Sequence, residues 1–259
     1  MGKFQTEGIV LKQFDLGEAD KIITFYTRDK GKIRAVARGA RKTKSKLSGL
    51  VLPFSYNQIT IYRGRSLDRI NHIDNLYSFS SLREDLLLMA YASYIAELVV
   101  KVGKEDNPNQ DLFSLLLTTY HRLHKSQDNK NLDDINLLFK FYLLQVLGFN
   151  PEINKCVKCE RKIKPSQKNN FNIRHGGLVC KACLEEEKKF NNENIISING
   201  EALAVWRKIM YKKGSIPHNL RISDNAFKSL NKIIDLFISY HLDIKINSEK
   251  FLHMIKNFG

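Results

Sequence analysis

The sequence lacks the marks of several large protein classes. Its N-terminus has no apolar h-region, so no secretory signal is read there. The longest strongly apolar run free of charge lies between Asp85 and Glu97, shorter than the roughly 20 residues a helix needs to cross a bilayer. The start Met1-Gly2-Lys3-Phe4-Gln5-Thr6 fits a loose myristoylation pattern. Three of its six positions are free and Gly2 just precedes a predicted strand, so it carries no weight. The expectation is an intracellular protein without a membrane segment. There is no Walker A loop, no Gly-x-Gly-x-x-Gly after a strand and no nucleophile elbow, so no nucleotide-hydrolysing or acyl-transfer chemistry is indicated. No internal repeat or low-complexity tract appears. Cysteine is scarce, with four residues among 259. Acids are missing where cations gather: residues 30–46 hold eight Lys or Arg and no Asp or Glu.

The chain is otherwise of ordinary globular composition, 43% hydrophobic and 27% charged, and long enough for one to three domains. Its net charge of +15 is unevenly spread. Residues 1–80 carry 15 cations and 7 acids, residues 81–155 carry 8 and 10, and residues 156–190 carry 9 and 4. A basic N-terminal unit and a basic cysteine segment thus flank a near-neutral middle.

The acid-free stretch changes character along its length. From Lys32 to Arg38 it alternates, with Ile33, Ala35 and Ala37 on one face and Lys32, Arg34, Val36 and Arg38 on the other, which predicts a half-buried strand. Residues 39–48 have no apolar period and carry Arg41, Lys42, Lys44 and Lys46, so they read as a mobile basic loop. A cationic strand running into a cationic loop suits a polyanion such as a nucleic-acid backbone; a loop that merely aids solubility is the plainer alternative. Around this strand the N-terminal 75 residues read as all-β. Strands are predicted near residues 9–14, 21–27, 32–38, 53–62 and 67–73, with turns at 15–20, at Arg28-Asp29-Lys30-Gly31 and at Arg63-Gly64-Arg65. Five short strands suggest an OB-fold barrel, with an SH3-like barrel as the structural alternative. Arg63 and Arg65 join the candidate phosphate contacts. Tyr26, Tyr56 and Tyr62 are candidates to stack bases, although a barrel this small also needs aromatic core.

At Ser81 the period becomes helical. Ser81-Leu82-Arg83-Glu84 reads as a capping box opening a helix to about Val102. Leu112, Phe113, Leu116, Tyr120 and Leu123 mark a second helix. Ile135, Leu138, Phe139, Tyr142, Leu143 and Val146 mark a third, closed by Gly148 and Pro151. Farther on, Asn199, Ser223 and Ser248 are predicted caps of three more helices, and residues 164–172 read as a loop.

Cys156, Cys159, Cys180 and Cys183 form Cys-x2-Cys, twenty intervening residues, then Cys-x2-Cys. Each pair can sit on a tight turn that aims two thiolates at one point, and two such turns complete a closed tetrahedral site for structural Zn²⁺. Two disulfides or four free thiols are the alternatives, and His175 could replace one ligand. His121 and His124 lack a third ligand at helical spacing. Asp15, Glu18 and Asp20 could hold a cation but read better as a polar turn. The deaminase pattern of His-x-Glu before Pro-Cys-x-x-Cys is absent.

Several words of the sequence resemble a known family. They are Glu7-Gly8-Ile9-Val10-Leu11, Gly17-Glu18-Ala19-Asp20-Lys21-Ile22, Arg38-Gly39-Ala40-Arg41-Lys42, Pro53-Phe54 and Tyr62-Arg63-Gly64. Leu147-Gly148-Phe149 with Pro151 follows before Cys156, and Gly176-Gly177 precedes Cys180. In this order they resemble the bacterial RecO family of recombination mediators. The resemblance implies an N-terminal OB-fold, a helical domain and a zinc module. It also implies binding to single- and double-stranded DNA, strand annealing, and partnership with RecR and the single-strand-binding protein's acidic C-terminal tail, helping to load RecA.

The expectation is therefore an α+β multidomain protein. A five-stranded OB-fold barrel spans residues 1–79, a mostly helical domain spans 80–155 and 184–259, and a four-cysteine zinc module spanning 156–183 is inserted into it. It is expected to be a non-enzymatic, cytoplasmic, nucleoid-associated DNA-binding protein without a membrane partner. An RNA- or ribosome-associated protein of the same barrel-plus-zinc plan is the second reading.

Overall fold

The computed structural model describes residues 2–126, 128–165, 168–187, 194–211 and 222–258. Its first five strands are β1 (Lys3–Leu16), β2 (Asp20–Thr27), β3 (Gly31–Ala37), β4 (Tyr56–Tyr62) and β5 (Asp68–Tyr77), with the short helix α1 (Lys46–Leu50) between β3 and β4. They close into a barrel in the order β1-β2-β3-β5-β4. The barrel closes through antiparallel β1–β4 pairing and a parallel β3–β5 contact. This is the OB-type arrangement, and it displaces the SH3-like alternative. Period-2 alternation sets the faces: Ile23 and Phe25 of β2, Ile33, Ala35 and Ala37 of β3, and Ile59 and Ile61 of β4 fill the interior. Strand β1 serves two neighbours, β4 with its first half and β2 with its second. Its register shifts between Val10 and Lys12, a bulge that lets one strand bend around the barrel. Pro53 does not open β4, as its sequence suggested. Phe54 takes φ 72° and donates its N–H to the Val10 carbonyl at 2.8 Å, so residues 53–54 form a turn tied to the bulge and pairing starts at Tyr56.

The helices that follow are α2 (Ser81–Glu84), α3 (Leu86–Val102), α4 (Gln110–Lys125) and α5 (Asn129–Val146). The predicted capping box at Ser81 does not form. Ser81 begins a single turn, the chain extends at Asp85, and Asp85 caps α3 by accepting the Leu88 N–H at 2.8 Å. An aspartate directly before an apolar helical run outcompetes a serine four residues earlier, because it caps the turn that carries the buried residues. Asn109 caps α4 by the same geometry, at 2.9 Å from Leu112 N. Gly148 has φ 86°, and the Phe149 N–H reaches the Leu144 carbonyl at 2.8 Å, closing α5 as the glycine predicts.

The remaining elements are β6 (Asn169–Asn172), β7 (Gly177–Val179), α6 (Lys181–Glu187), β8 (Ile195–Ile198), α7 (Gly200–Tyr211), α8 (Asp224–Leu242) and α9 (Ser248–Phe258). Part of the expected loop at 164–172 is strand, since β6 pairs antiparallel with both β7 and β8. Asn199 and Ser223 cap α7 and α8 as expected, accepting from Ala202 N and Ala226 N. Ser248 does not cap α9 with its own side chain. The Glu97 carboxylate of α3 accepts from Asn247 N, Ser248 N and Ser248 Oγ at 2.6–3.0 Å, so an acid satisfies the helix's orphan donors and its positive dipole end.

The chain divides into two compact units, Met1–Ile135 with Ile246–Gly259, and Asn136–Lys245. The first contains the barrel, α3, α4 and α9. The second is organised on Trp206, fully buried, with Phe141 and Phe171 at ring-centroid distances of 5.3 and 5.1 Å. In that unit Lys140 is buried and its Nζ donates to Asn231 and Asp235 at 2.6 and 2.5 Å, which compensates a charge that would otherwise be costly.

Candidate nucleic-acid interface and metal centre

The strand and loop that carry the basic stretch are more ordered than their composition suggests. Gly31 takes φ 65° at the β2–β3 turn, and a Cβ there would lie 2.6 Å from the Asn107 carbonyl oxygen, so glycine is required twice over. Beyond β3, the loop expected to be mobile is tied at several points to the β1–β2 turn. The Gly39 N–H donates to Asp20 at 2.8 Å, the Arg41 N–H to the Ala19 carbonyl at 3.0 Å, and the Arg41 guanidinium to Asp15 at 3.3 Å and to the Gly17 carbonyl. Ser45 then caps α1, accepting from Leu47 N, so Lys46 starts a helix. Asp15 and Asp20 therefore anchor this loop.

The cations fall into two groups. Arg34 pairs with Glu105 at 3.3 Å, and Arg63 pairs with Asp68 at 3.2 Å and with Asp106. Together with Lys32 these residues line a small polar cavity of about 140 Å³. The acids are set there by backbone: the Lys32 N–H donates to the Lys104 carbonyl and its Nζ to the Val100 carbonyl, both at 2.9 Å. Burial lowers the Lys32 pKa, against the pull of Glu105. By contrast, among the described residues no carboxylate pairs with Arg38, Lys42, Lys44, Lys46, Arg65 or Arg69, and all six are exposed. Such charges need not be stripped of a partner before they meet a phosphate.

The candidate stacking residues separate in the same way. Tyr26 is 1% exposed, and the Tyr56 hydroxyl donates to Glu7, so both serve the fold; Tyr62 is 43% exposed. Phe14, 55% exposed near the end of β1, is a residue sequence reasoning missed. The signal was present as the alternation Lys12, Phe14, Leu16, but a phenylalanine in a strand pattern is first read as core. Glu105 and Asp106 were missed because nothing in sequence spacing brings residues 105 and 106 to Arg34 and Arg63.

The four cysteine sulfurs lie within 4.8 Å of one another, with Cys159 Sγ and Cys180 Sγ 3.6 Å apart. Cys156 and Cys159 sit on a knuckle: the Cys156 N–H donates to the Arg161 carbonyl, the Glu160 N–H to the Cys156 carbonyl, and Glu160 takes φ 56°. Cys180 follows β7, and Cys183 lies in the first turn of α6. Burial raises the Cys156 pKa, but backbone N–H groups of Cys159, Cys180 and Lys158 aimed at its sulfur prevail and bring it to about 6. Hydrogen bonding to Cys180 and then burial push Cys183 up to about 12. Among the described residues, these four cysteines are the only converging ligand set; His175 is not part of it, nor are His121 and His124. The last two pack against Tyr77, at ring distances of 4.9 and 5.5 Å.

The comparisons with known proteins agree across the chain. Residues 1–79 match the family model "Recombination protein O N terminal", and residues 83–250 match "Recombination protein O C terminal". The chain is 34% identical to the DNA repair protein RecO of Alkaliphilus metalliredigens, covering 94% of this chain and 96% of that protein. It is 32% identical to that of Bacillus subtilis (97% and 94% covered) and 30% identical to that of Acetivibrio thermocellus (99% and 100%). No helix among the described residues is long and apolar enough to cross a membrane.

Proposed function

The chain belongs to the RecO family of DNA repair proteins, and from that premise we propose that it is a DNA-binding recombination mediator and not an enzyme. It binds single- and double-stranded DNA, anneals complementary strands, and acts with RecR on strands coated by single-strand-binding protein, whose acidic C-terminal tail it engages, so that RecA is loaded. Its place is the cytoplasm, on the nucleoid. The observation that carries this reading is the closed barrel with Arg38, Lys42, Lys44, Lys46 and Arg65 exposed and, among the described residues, without carboxylate partners. These cations would meet phosphates first, and Arg34, Arg41 and Arg63 would join by exchanging a carboxylate for a phosphate. The division of labour is a barrel over 1–79, helices over 80–155 and 184–259, and a metal module over 156–183.

The cysteine cluster fits structural Zn²⁺. Tetrahedral bonds of about 2.3 Å place sulfurs about 3.8 Å apart, close to the 3.6 Å between Cys159 and Cys180. Cys156, Cys159, Cys180 and Cys183 would hold the ion, which would crosslink the knuckle to the start of α6 and leave no position for a substrate.

The test is annealing of complementary strands coated with single-strand-binding protein, with and without RecR, comparing wild type with Lys42→Ala/Lys44→Ala. Acceleration by wild type that the double variant loses is the expected result. A chain that binds RNA of equal length more tightly and leaves annealing unchanged would overturn the reading in favour of an RNA-associated role.

A further inference from the structure

Read perpendicular to its strands, the barrel carries one row of side chains on the face away from its interior, exposed at Phe14, Arg69 and Tyr62, half-buried at Ile22 and 7% exposed at Val36. Phe14 of β1 pairs with Ile22 of β2, Ile22 with Val36 of β3, Val36 with Arg69 of β5, and Arg69 with Tyr62 of β4. The alternation of each strand puts its core residues on the other face, with Ile23, Ala35 and Ile61 filling the interior. The line spans four inter-strand steps of about 4.8 Å, about 19 Å along the sheet. It holds no acid, and its ends are the exposed rings of Phe14 and Tyr62. A single exposed aromatic needs no explanation; two at the ends of one register row, with apolar Ile22 and Val36 and cationic Arg69 between them, form an ordered pattern.

The rows beside it carry the cations Lys12, Arg34 and Arg38 and one acid, Asp20, which accepts the Gly39 N–H; Arg34 is paired with Glu105. The next row on one side pairs Lys12 with Thr24 and Thr24 with Arg34. On the other side Arg38 follows β3, exposed and, among the described residues, without a carboxylate partner. Each terminal ring also has an ammonium above it: Lys12 Nζ lies 5.0 Å from the Phe14 centroid, and Lys3 Nζ 5.9 Å from that of Tyr62. The acids nearest this surface are engaged: Asp15 with Lys21 and Arg41, Asp20 with Gly39 N.

We propose that this row is the base-contacting track of a single-stranded DNA site. Bases stack on the exposed rings of Phe14 and Tyr62 and cross the half-buried Ile22 and the largely covered Val36 between them, while Lys12, Arg38 and Arg69 meet the phosphates. Every base offers a π-face, so the track reads single-strandedness and not sequence. The inference rests on the proposal that the chain binds single-stranded DNA, and adds to it which side chains touch bases.

The test separates bases from phosphates. Fluorescence anisotropy is measured with labelled oligothymidylate and with an abasic strand of the same length, for wild type, Phe14→Ala, Phe14→Trp and Tyr62→Ala. Both aromatic positions are exposed, so melting temperatures should hold. Phe14→Ala and Tyr62→Ala, at opposite ends of the row, should each weaken oligothymidylate binding by about 5- to 150-fold. They should leave the salt slope and abasic binding unchanged, and Phe14→Trp should retain the wild-type affinity. Equal wild-type affinity for the two probes, or losses in both alanine variants that are nil or equal on both probes, would overturn the track. In that event a protein whose binding still falls in Lys42→Ala/Lys44→Ala keeps its DNA-binding role. A wild type that binds neither probe at low salt rejects that role and the track together.

Discussion

Replacing Glu105 with Gln and Asp106 with Asn should tighten DNA binding, because these two carboxylates occupy arginines that phosphates would otherwise use. Arg34 and Glu105 are both 58% exposed at 3.3 Å, a pair that stabilises the fold by at most about 1 kcal/mol. A phosphate can therefore displace the carboxylate, but the displaced acid stays close and repels it. At a separation of about 7 Å in a water-like dielectric, each like-charge pair costs about 0.6 kcal/mol. Removing both should strengthen binding by about 1 kcal/mol, roughly five- to tenfold, at low ionic strength. Freed arginines also add phosphate contacts, each steepening the single-strand slope of log affinity against log salt by about 0.7. Arg63 keeps Asp68, whose side chain is 10% exposed, so the expected steepening lies between about 0.7 and 1.4. The loop itself should persist, since the Lys32 N–H still donates to the Lys104 carbonyl, and losing the two exposed pairs should cost at most about 1 kcal/mol each. Anisotropy titrations at several salt concentrations, with melting curves alongside, measure both quantities. Unchanged or weaker binding in a variant that melts normally would refute the competition and make the carboxylates orienting groups for Arg34 and Arg63.

Cys180→Ser should lower bound metal below one equivalent per chain and loosen the 156–183 segment while the barrel, which has its own core, stays folded; elemental analysis and hydrogen exchange report the two effects. Metal-free wild-type protein, purified reduced, would count against the zinc assignment. Glu97→Ala should cost about 1 kcal/mol by uncapping α9, with faster amide exchange in Ser248–Phe258 than in α4 as the local signature. Burial raises the pKa of Glu7, but hydrogen bonds from Tyr56 and Arg28 prevail; burial also raises that of Glu97, but bonds from Ser248 and Asn247 prevail, so both pKa values fall below 4.5. Their stabilisation is then complete above about pH 4.5 and lost as pH falls through the folded values. The melting-temperature gap between wild type and Glu7→Gln/Glu97→Gln should accordingly be widest near neutrality and close in acid.

The barrel was legible because each strand alternates and each turn carries its own chemistry. Ile33, Ala35 and Ala37 against Lys32, Arg34 and Arg38 fix a face without reference to anything distant. The cysteine cluster was legible for a related reason: Cys-x2-Cys is a local geometry, and two copies state both halves of one site. The helix starts were less legible where two capping residues competed. Ser81 and Asp85 both precede apolar positions, and the choice went to the residue whose following turn is buried. At Ser248 the cap came from Glu97, 151 residues away in sequence, which no local pattern encodes.

The same distinction explains why the interface was only half visible. A charge run announces that cations are present, but whether a cation can meet a phosphate depends on what it already meets. Arg34 and Lys42 look alike in the sequence. One lies on a strand beside a loop carrying Glu105, and the other leaves the barrel past a turn where Asp15 and Asp20, two of its three acids, are spent on Arg41 and the Gly39 amide. Tyr26 and Phe14 differ in the opposite sense from expectation. The tyrosine, with its polar tip, is covered. The phenylalanine stands in solvent because β1 runs past the bulge to Leu16 and carries its outward side chains with it. Exposed Phe14 and Tyr62 share a register row with Arg69, which has no carboxylate partner among the described residues, and that placement belongs to the registers between strands. It follows that substitutions shifting the β1 bulge between Val10 and Lys12 should impair binding even where they touch no exposed residue, because a slip of one residue would turn Phe14 inward and the core inside out.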